Sequence, residues 1–126
     1  MTAPPETRTA VIKLPVLPLL NSNQRLHWAV RARRTKVIRE TAALVTWSKR
    51  LAPMSKVAIT AVIHPKTSRR FDPHNLQPTV KAAIDGLVDA GLVADDDSSR
   101  VVSVAFIAGA KDPAGAWVEL VVREVP

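Results

Sequence analysis

The run KVAITAVI at residues 56–63 constrains the fold more than any other feature. It is rich in β-branched residues, which pack well on a pleated surface, so it reads as a strand. Helical periodicity lies on both sides of it. From about Leu26 to Leu51, the apolar residues Val30, Val37, Leu44 and Leu51 recur every seven positions with Trp47 beside them. Arg31, Arg33, Arg34, Lys36, Arg39 and Lys49 occupy the other faces, and Ala52-Pro53 ends the helix. A second helix is predicted to open with Pro78 at its first position, where a missing N–H costs nothing. Val80, Ile84, Leu87 and Val88 form its apolar face, and Gly91 supplies its C-terminal cap. A strand between two amphipathic helices requires a sheet on which both helices pack.

The flanks complete that sheet. Residues 10–17 (AVIKLPVL) read as a strand, with Pro15 marking an edge or a strand end. Residues 100–108 and 116–125 read as two more strands, and the short turn from Ala110 to Gly115 predicts that they form an antiparallel hairpin. The order is βαβαββ, an α+β domain with helices on a mixed sheet of about four strands. Residues 1–9 read as a disordered lead-in and 10–126 as one domain, which is all that 126 residues accommodate. There is no cysteine, so disulfides, thiolate zinc sites and cysteine nucleophiles are ruled out. No apolar run reaches the ~18 residues of a membrane span, and no secretory leader is evident. A cytoplasmic protein without membrane contact is expected.

Charge is unevenly placed. Residues 1–71 hold 14 basic and 2 acidic side chains, and residues 72–126 hold 4 basic and 9 acidic. Clustered cations gain free energy by displacing condensed counterions from phosphates, so this basic surface favours a nucleic acid partner over none. The acidic residues gather in turn: Asp72, Asp85, Asp89, Asp95, Asp96 and Asp97 are all aspartate. Short, stiff carboxylates suit a hard cation such as Mg²⁺, whose oxygen ligands lie at ~2.0–2.1 Å. The cluster reads equally as a solvated acidic turn. A helix over 78–90 is about 20 Å long, and five extended links between 72 and 77 span about 17 Å, so convergence on one ion is feasible. Lys81 and Asp85, four apart, share a helix face, either as a surface ion pair or as part of a cleft wall.

The run Arg69-Arg70-Phe71-Asp72-Pro73-His74-Asn75-Leu76, followed by Lys81-Ala82-Ala83-Ile84-Asp85-Gly86-Leu87, Gly91 and Asp95-Asp96, resembles the RusA family of Holliday junction resolvases. That family shows an Asp-x-Asp-Asn turn, a Lys and an Asp four apart on the next helix, a Gly and a closing Asp-Asp pair. The resemblance covers about 30 residues. It implies a Mg²⁺-dependent endodeoxyribonuclease that resolves four-way junctions as a homodimer, with no small-molecule cofactor, in a bacterial or phage-infected cell. It implies Asp72, Lys81 and Asp96 as catalytic residues, and Asp72, Asp96, Asp95 and Asp85 as metal ligands. DNA contacts are expected from Lys66, Arg69, Arg70, Phe71 and Asn75, and from Arg31 and Arg34 on the first helix. The Asn21-Ser22-Asn23 stretch matches an Asn-containing turn that the family places near its DNA-binding surface. The chain departs from the family at two points. His74 stands where a second Asp is usual, and three extra residues, Pro78 among them, fall between Asn75 and Lys81.

Phe71 reads either as a wedge that opens base pairs or as a buried anchor of its loop. Trp28 and Trp47 read as core or dimer contacts, and His27 and His64 as structural residues. Two alternatives compete with the nuclease reading. One is a branched-DNA-binding dimer whose cleavage is weakened or lost with His74. The other is a protein whose basic face meets an acidic protein partner.

Overall fold

The computed structural model describes residues 7–126. The elements follow the order β1 (Thr9–Lys13), α1 (Trp28–Ser48), β2 (Val57–His64), a 3-10 helix (Pro73–Leu76), α2 (Gln77–Asp89), β3 (Val101–Ala108) and β4 (Trp117–Glu124). The two long helices pack on a four-stranded mixed sheet in the order β1-β4-β2-β3, as the α+β reading anticipates.

The predicted hairpin does not form. β3 pairs parallel with β2, and β4 pairs antiparallel with both β2 and β1, so β2 separates the two supposed hairpin partners. The reason is burial. Val118, Leu120 and Val122 of β4 are fully buried, whereas β3 is exposed over most of its length. The strand able to bury one complete face takes the centre. The βαβ connection through α2 meanwhile places β3 at the rim of β2, as a parallel neighbour.

The N-terminal reading also needs correction. Residues 1–6 lie outside the described residues. Residues 7–9 are held: Arg8 pairs with Glu124 at 2.9 Å and donates to the carbonyls of Ala52 (2.9 Å) and Pro53 (2.8 Å), and Thr9 already pairs with Arg123 in the sheet. β1 stops at Lys13, before the predicted end at residue 17, because Pro15 and Pro18 cannot extend the ladder.

Val37 and Leu44 of the seven-residue repeat lie on the outer face of α1, whereas Val30 is half-buried and Leu51, beyond the helix end at Ser48, packs against the core. Ile38, Ala42 and Thr46 are the residues it buries. Val37, Leu44 and Trp47 are 46%, 68% and 65% exposed, and Trp28 is 77% exposed, so neither tryptophan belongs to the core.

α2 begins at Gln77, with Pro78 second in the helix, and ends in a Schellman arrangement. Gly91 has φ +81°, Gly91 N donates to Val88 O (2.9 Å) and Leu92 N to Leu87 O (3.0 Å). The two helices touch at Gly86, which faces the α1 backbone at Arg39 and Ala43. Beneath them Ile12, Val57, Ile59, Ala61, Val118, Leu120 and Val122 form the sheet side of the core.

Candidate functional site

The candidate residues come from α2 and from the loops at its two ends. α2 exposes Lys81 and half-buries Asp85 one turn later, because Val80, Ala82, Ala83 and Ile84 around them face the core. The Schellman cap reverses the chain, and Leu92 and Val93 are buried. Met54 N donates to Leu92 O at 2.7 Å. The acidic turn is thereby laid back along α2. Lys81 Nζ donates to Asp85 Oδ1 at 2.8 Å and makes a second, short contact with Asp96 Oδ2.

This ammonium bridge joins two carboxylates that are eleven residues apart in sequence. The two aspartates, Asp85 first and then Asp96, raise the Lys81 pKa above its ordinary value. Lys81 in turn holds the Asp96 carboxyl below the usual carboxylate range, chiefly through the hydrogen bond. Asp95 Oδ1 accepts from Asp96 N at 2.7 Å. Asp97 Oδ1 accepts from Ser99 N (2.9 Å) and Ser99 Oγ (2.5 Å), contacts that lower its pKa. Those two side chains brace the turn, while Asp96 reaches out of it. Asp89 is committed elsewhere: Arg39 of α1 grips it through two hydrogen bonds of 2.6 and 2.8 Å, which lowers the Asp89 pKa.

Asp72 belongs to the opposite end of α2. Its Oδ1 accepts from His74 N (3.0 Å) and caps the 3-10 helix, and His74 Nδ1 lies 3.3 Å from the same oxygen. The His74 ring sits 5.0 Å from the ring of Phe106 on β3. Between this pair and the Lys81 bridge lies a shallow cavity of about 160 Å³ lined by Gln77, Val80, Lys81, Ile84, Val104 and Phe106. Asn75 O accepts from Ser22 N at 2.8 Å, which brings the Asn21–Asn23 turn against the 3-10 helix. Below that contact, buried Thr79 Oγ1 accepts from Leu20 N (2.8 Å) and donates to Leu20 O (2.7 Å), riveting the turn to α2.

The four predicted metal ligands are therefore distributed. Asp85 and Asp96 share one cation, the Lys81 ammonium; Asp95 supports the turn; Asp72 pairs with His74. Among the described residues, no group of three or more His, Asp or Glu side chains is gathered tightly enough to hold a metal ion. In kind, the donors fit a hard divalent cation, since Asp85 and Asp96 offer carboxylate oxygens alone and already converge on one positive charge.

The predicted DNA contacts divide as well. Lys66, Arg69 and Arg70 are exposed on the loop between β2 and the 3-10 helix. Arg31 and Arg34 are half-buried, and each donates to a carbonyl of the segment leading into α1: Arg31 to Gln24 O and Arg34 to Leu19 O, both at 3.4 Å. Phe71 is half-buried against the core, the anchor arrangement and not the projecting wedge. His64 is structural: its ring stacks on Trp117 at 4.0 Å, and its nitrogens face Ala110 O (2.8 Å) and Glu119 Oε1 (3.0 Å). His27 caps α1 through Nδ1. Sequence reasoning passed over Phe106 and Thr79. An aromatic residue in a strand carries no local mark of a partner on a distant loop. The β2–β3 register, which sets Phe106 opposite Ala61, is what places it.

The architecture thus defines a small α+β domain with a Lys–Asp–Asp cluster on the outer side of α2. Comparison of the chain with models of known protein families and with characterised proteins finds no match. No helix among the described residues is long and apolar enough to cross a membrane.

Proposed function

We propose that the chain is a Mg²⁺-dependent, structure-specific endodeoxyribonuclease that acts on four-way DNA junctions as a homodimer in the cytoplasm of a bacterial or phage-infected cell. One observation carries this reading: Lys81, Asp85 and Asp96, the ordered elements of the RusA-like pattern, meet at one point although they come from a helix and a remote turn. Asp85 and Asp96 are the residues that would hold the ion. Held there, a divalent cation would supply an activated water and charge neutralisation at the scissile phosphate.

The chain's own groups do the rest. Lys81 neutralises negative charge that develops on the phosphoryl oxygens, an interaction strongest in the transition state. Lys66, Arg69 and Arg70 bind flanking phosphates, while the Asn21–Asn23 turn and Asn75 form one polar edge against the backbone. Two active sites related by a two-fold axis match the paired nicks that a junction requires.

A labelled synthetic junction incubated with Mg²⁺, and separately with EDTA, tests the proposal. Nicking that needs Mg²⁺ supports it. A junction that stays intact while bound points to the second reading, a branched-DNA-binding dimer with weakened or lost cleavage. That reading is favoured by the engagement of Asp72 with His74, where the family pattern has a second acid.

A further inference from the structure

We infer that the outer face of α1 docks an acidic amphipathic helix of another protein, which lies over the stripe Val37, Leu44 and Trp47 and brings its carboxylates to Arg33, Lys49 and Arg50. The three apolar residues of the stripe are exposed, while α1 buries Ile38, Ala42 and Thr46 against the rest of the chain. They stand seven and three positions apart, spacings that keep side chains on adjoining rows of one helix surface. From Val37 to Trp47 the stripe covers about 15 Å of helix axis. Each end of it opens into a cavity. Trp47 is a wall of one of about 270 Å³, completed by Thr46, Arg50, Leu51, Ala90 and Leu92. Val37 is a wall of another of about 180 Å³, with Pro18, Val30, Arg33 and Arg34. Both combine apolar walls with a guanidinium group.

Charge selects the occupant. α1 contains a single acid, Glu40, and Lys36 Nζ lies 3.8 Å from it. Arg33, Lys49 and Arg50 are exposed, and among the described residues no carboxylate lies within ion-pair distance of them. Arg50 also occupies a strained position. Glycines apart, it alone among the described residues has a left-handed φ, +51°. It follows Lys49, the C-cap of α1, at the place where glycine is favoured because it has no Cβ. An arginine kept there, its guanidinium 5.8 Å from the centroid of the Trp47 ring, points to a role other than folding. A second copy of α1 would oppose these cations to themselves. A DNA backbone answers the charge but offers nothing apolar to Leu44 and Trp47, and a lipid surface is flat where the cavities are concave. An acidic helix with apolar side chains at i, i+4, i+7 and i+11 meets the stripe, the cavities and the cations together.

The probe is a synthetic, fluorescein-labelled helix of about 14 residues, four turns, with leucine at those four positions and glutamate at most others. Its anisotropy on titration with the full-length chain is expected to saturate below about 100 μM, and the same peptide with lysine for every glutamate is expected not to bind. Leu44→Glu, at an exposed site, is expected to weaken binding by about tenfold or more and to leave the urea midpoint unchanged. Arg50→Gly separates docking from folding: it is expected to raise the urea midpoint and yet weaken peptide binding by about threefold or more. The proposal is overturned if the glutamate peptide does not bind, if the lysine peptide binds as well, if either variant keeps the parent's affinity, or if Arg50→Gly lowers the urea midpoint. It is also overturned if Leu44→Glu abolishes binding to duplex DNA or to phosphatidylglycerol vesicles, or changes the eluting mass of the chain, since the face then belongs to nucleic acid, to lipid or to a second copy. No step uses a four-way junction or Mg²⁺, so the result is independent of the nuclease reading.

Discussion

Replacing Gly86 with Ala probes the contact that sets the position of α2, and with it the position of Lys81 and Asp85. A Cβ built at Gly86 would lie 2.5 Å from Arg39 O, 2.7 Å from Ala42 Cβ and 2.9 Å from Ala43 N. Two of those atoms are α1 backbone and the third is fixed to it, so no side chain can rotate aside. Relief requires the helices to separate by about 1 Å to regain ordinary van der Waals distances. Overpacking of this kind costs typically about 1–3 kcal/mol. Ala gains about 1 kcal/mol over Gly as a helix former, but separating the helices also loosens Ile38, Ala42, Ala83 and Leu87 between them. We expect a net loss of about 2 kcal/mol. That corresponds to a fall in melting temperature of roughly 8 °C for a chain of this length. Urea unfolding followed by far-UV circular dichroism measures it as a lower midpoint with an unchanged slope. An unchanged or raised midpoint would refute the close approach and, with it, the helix packing that positions the cluster.

The other predictions concern the cluster and its surroundings. Asp96→Asn keeps the side chain's shape and removes its charge; cleavage of a junction should fall by about a hundredfold or more while gel-shift affinity is kept or improved, and an unchanged rate would reduce Asp96 to a surface residue. Arg39→Met releases Asp89, whose folded-state pKa is held below 3.8. Since a depressed carboxyl stabilises the fold above its unfolded pKa and loses that contribution as pH falls through the folded one, the parent's advantage in urea midpoint should be full at pH 7 and shrink below 3.8. A gap independent of pH would assign the effect to lost packing. Replacing Arg69 and Arg70 together with Ala should flatten the salt dependence of DNA binding by about one logarithmic unit per lost phosphate contact, and an unaltered slope would remove them from the interface. His74→Asp should speed cleavage markedly if His74 weakens the site, whereas slower cleavage would give the imidazole a positive role.

Local chemistry carried much of the architecture before any fold was visible. The β-branched run KVAITAVI forms β2, Val57–His64. Pro78 lies in the first turn of α2, and Gly91 caps it with a positive φ because only a residue without Cβ adopts that conformation freely. The Lys81–Asp85 pair was legible from its four-residue spacing alone. These features depend on neighbours within a turn or two of chain, so the sequence written in order contains them.

What escaped the sequence depends on which segments meet. β3 and β4 are both apolar runs separated by a short loop, and nothing local says that β4 belongs between β1 and β2. The apolar repeat of α1 is equally visible whether it faces the core or solvent, and the core took Ile38, Ala42 and Thr46 because Gly86 fits closely against that face. The ammonium of Lys81 reaches Asp96 only because the Schellman cap turns the chain back along α2, and Asp72 turned to His74 and not to the other acids. A one-dimensional pattern specifies which residues can share a face of one element. Which faces touch follows from burying the most apolar surface over all elements at once, and that competition is resolved only in three dimensions.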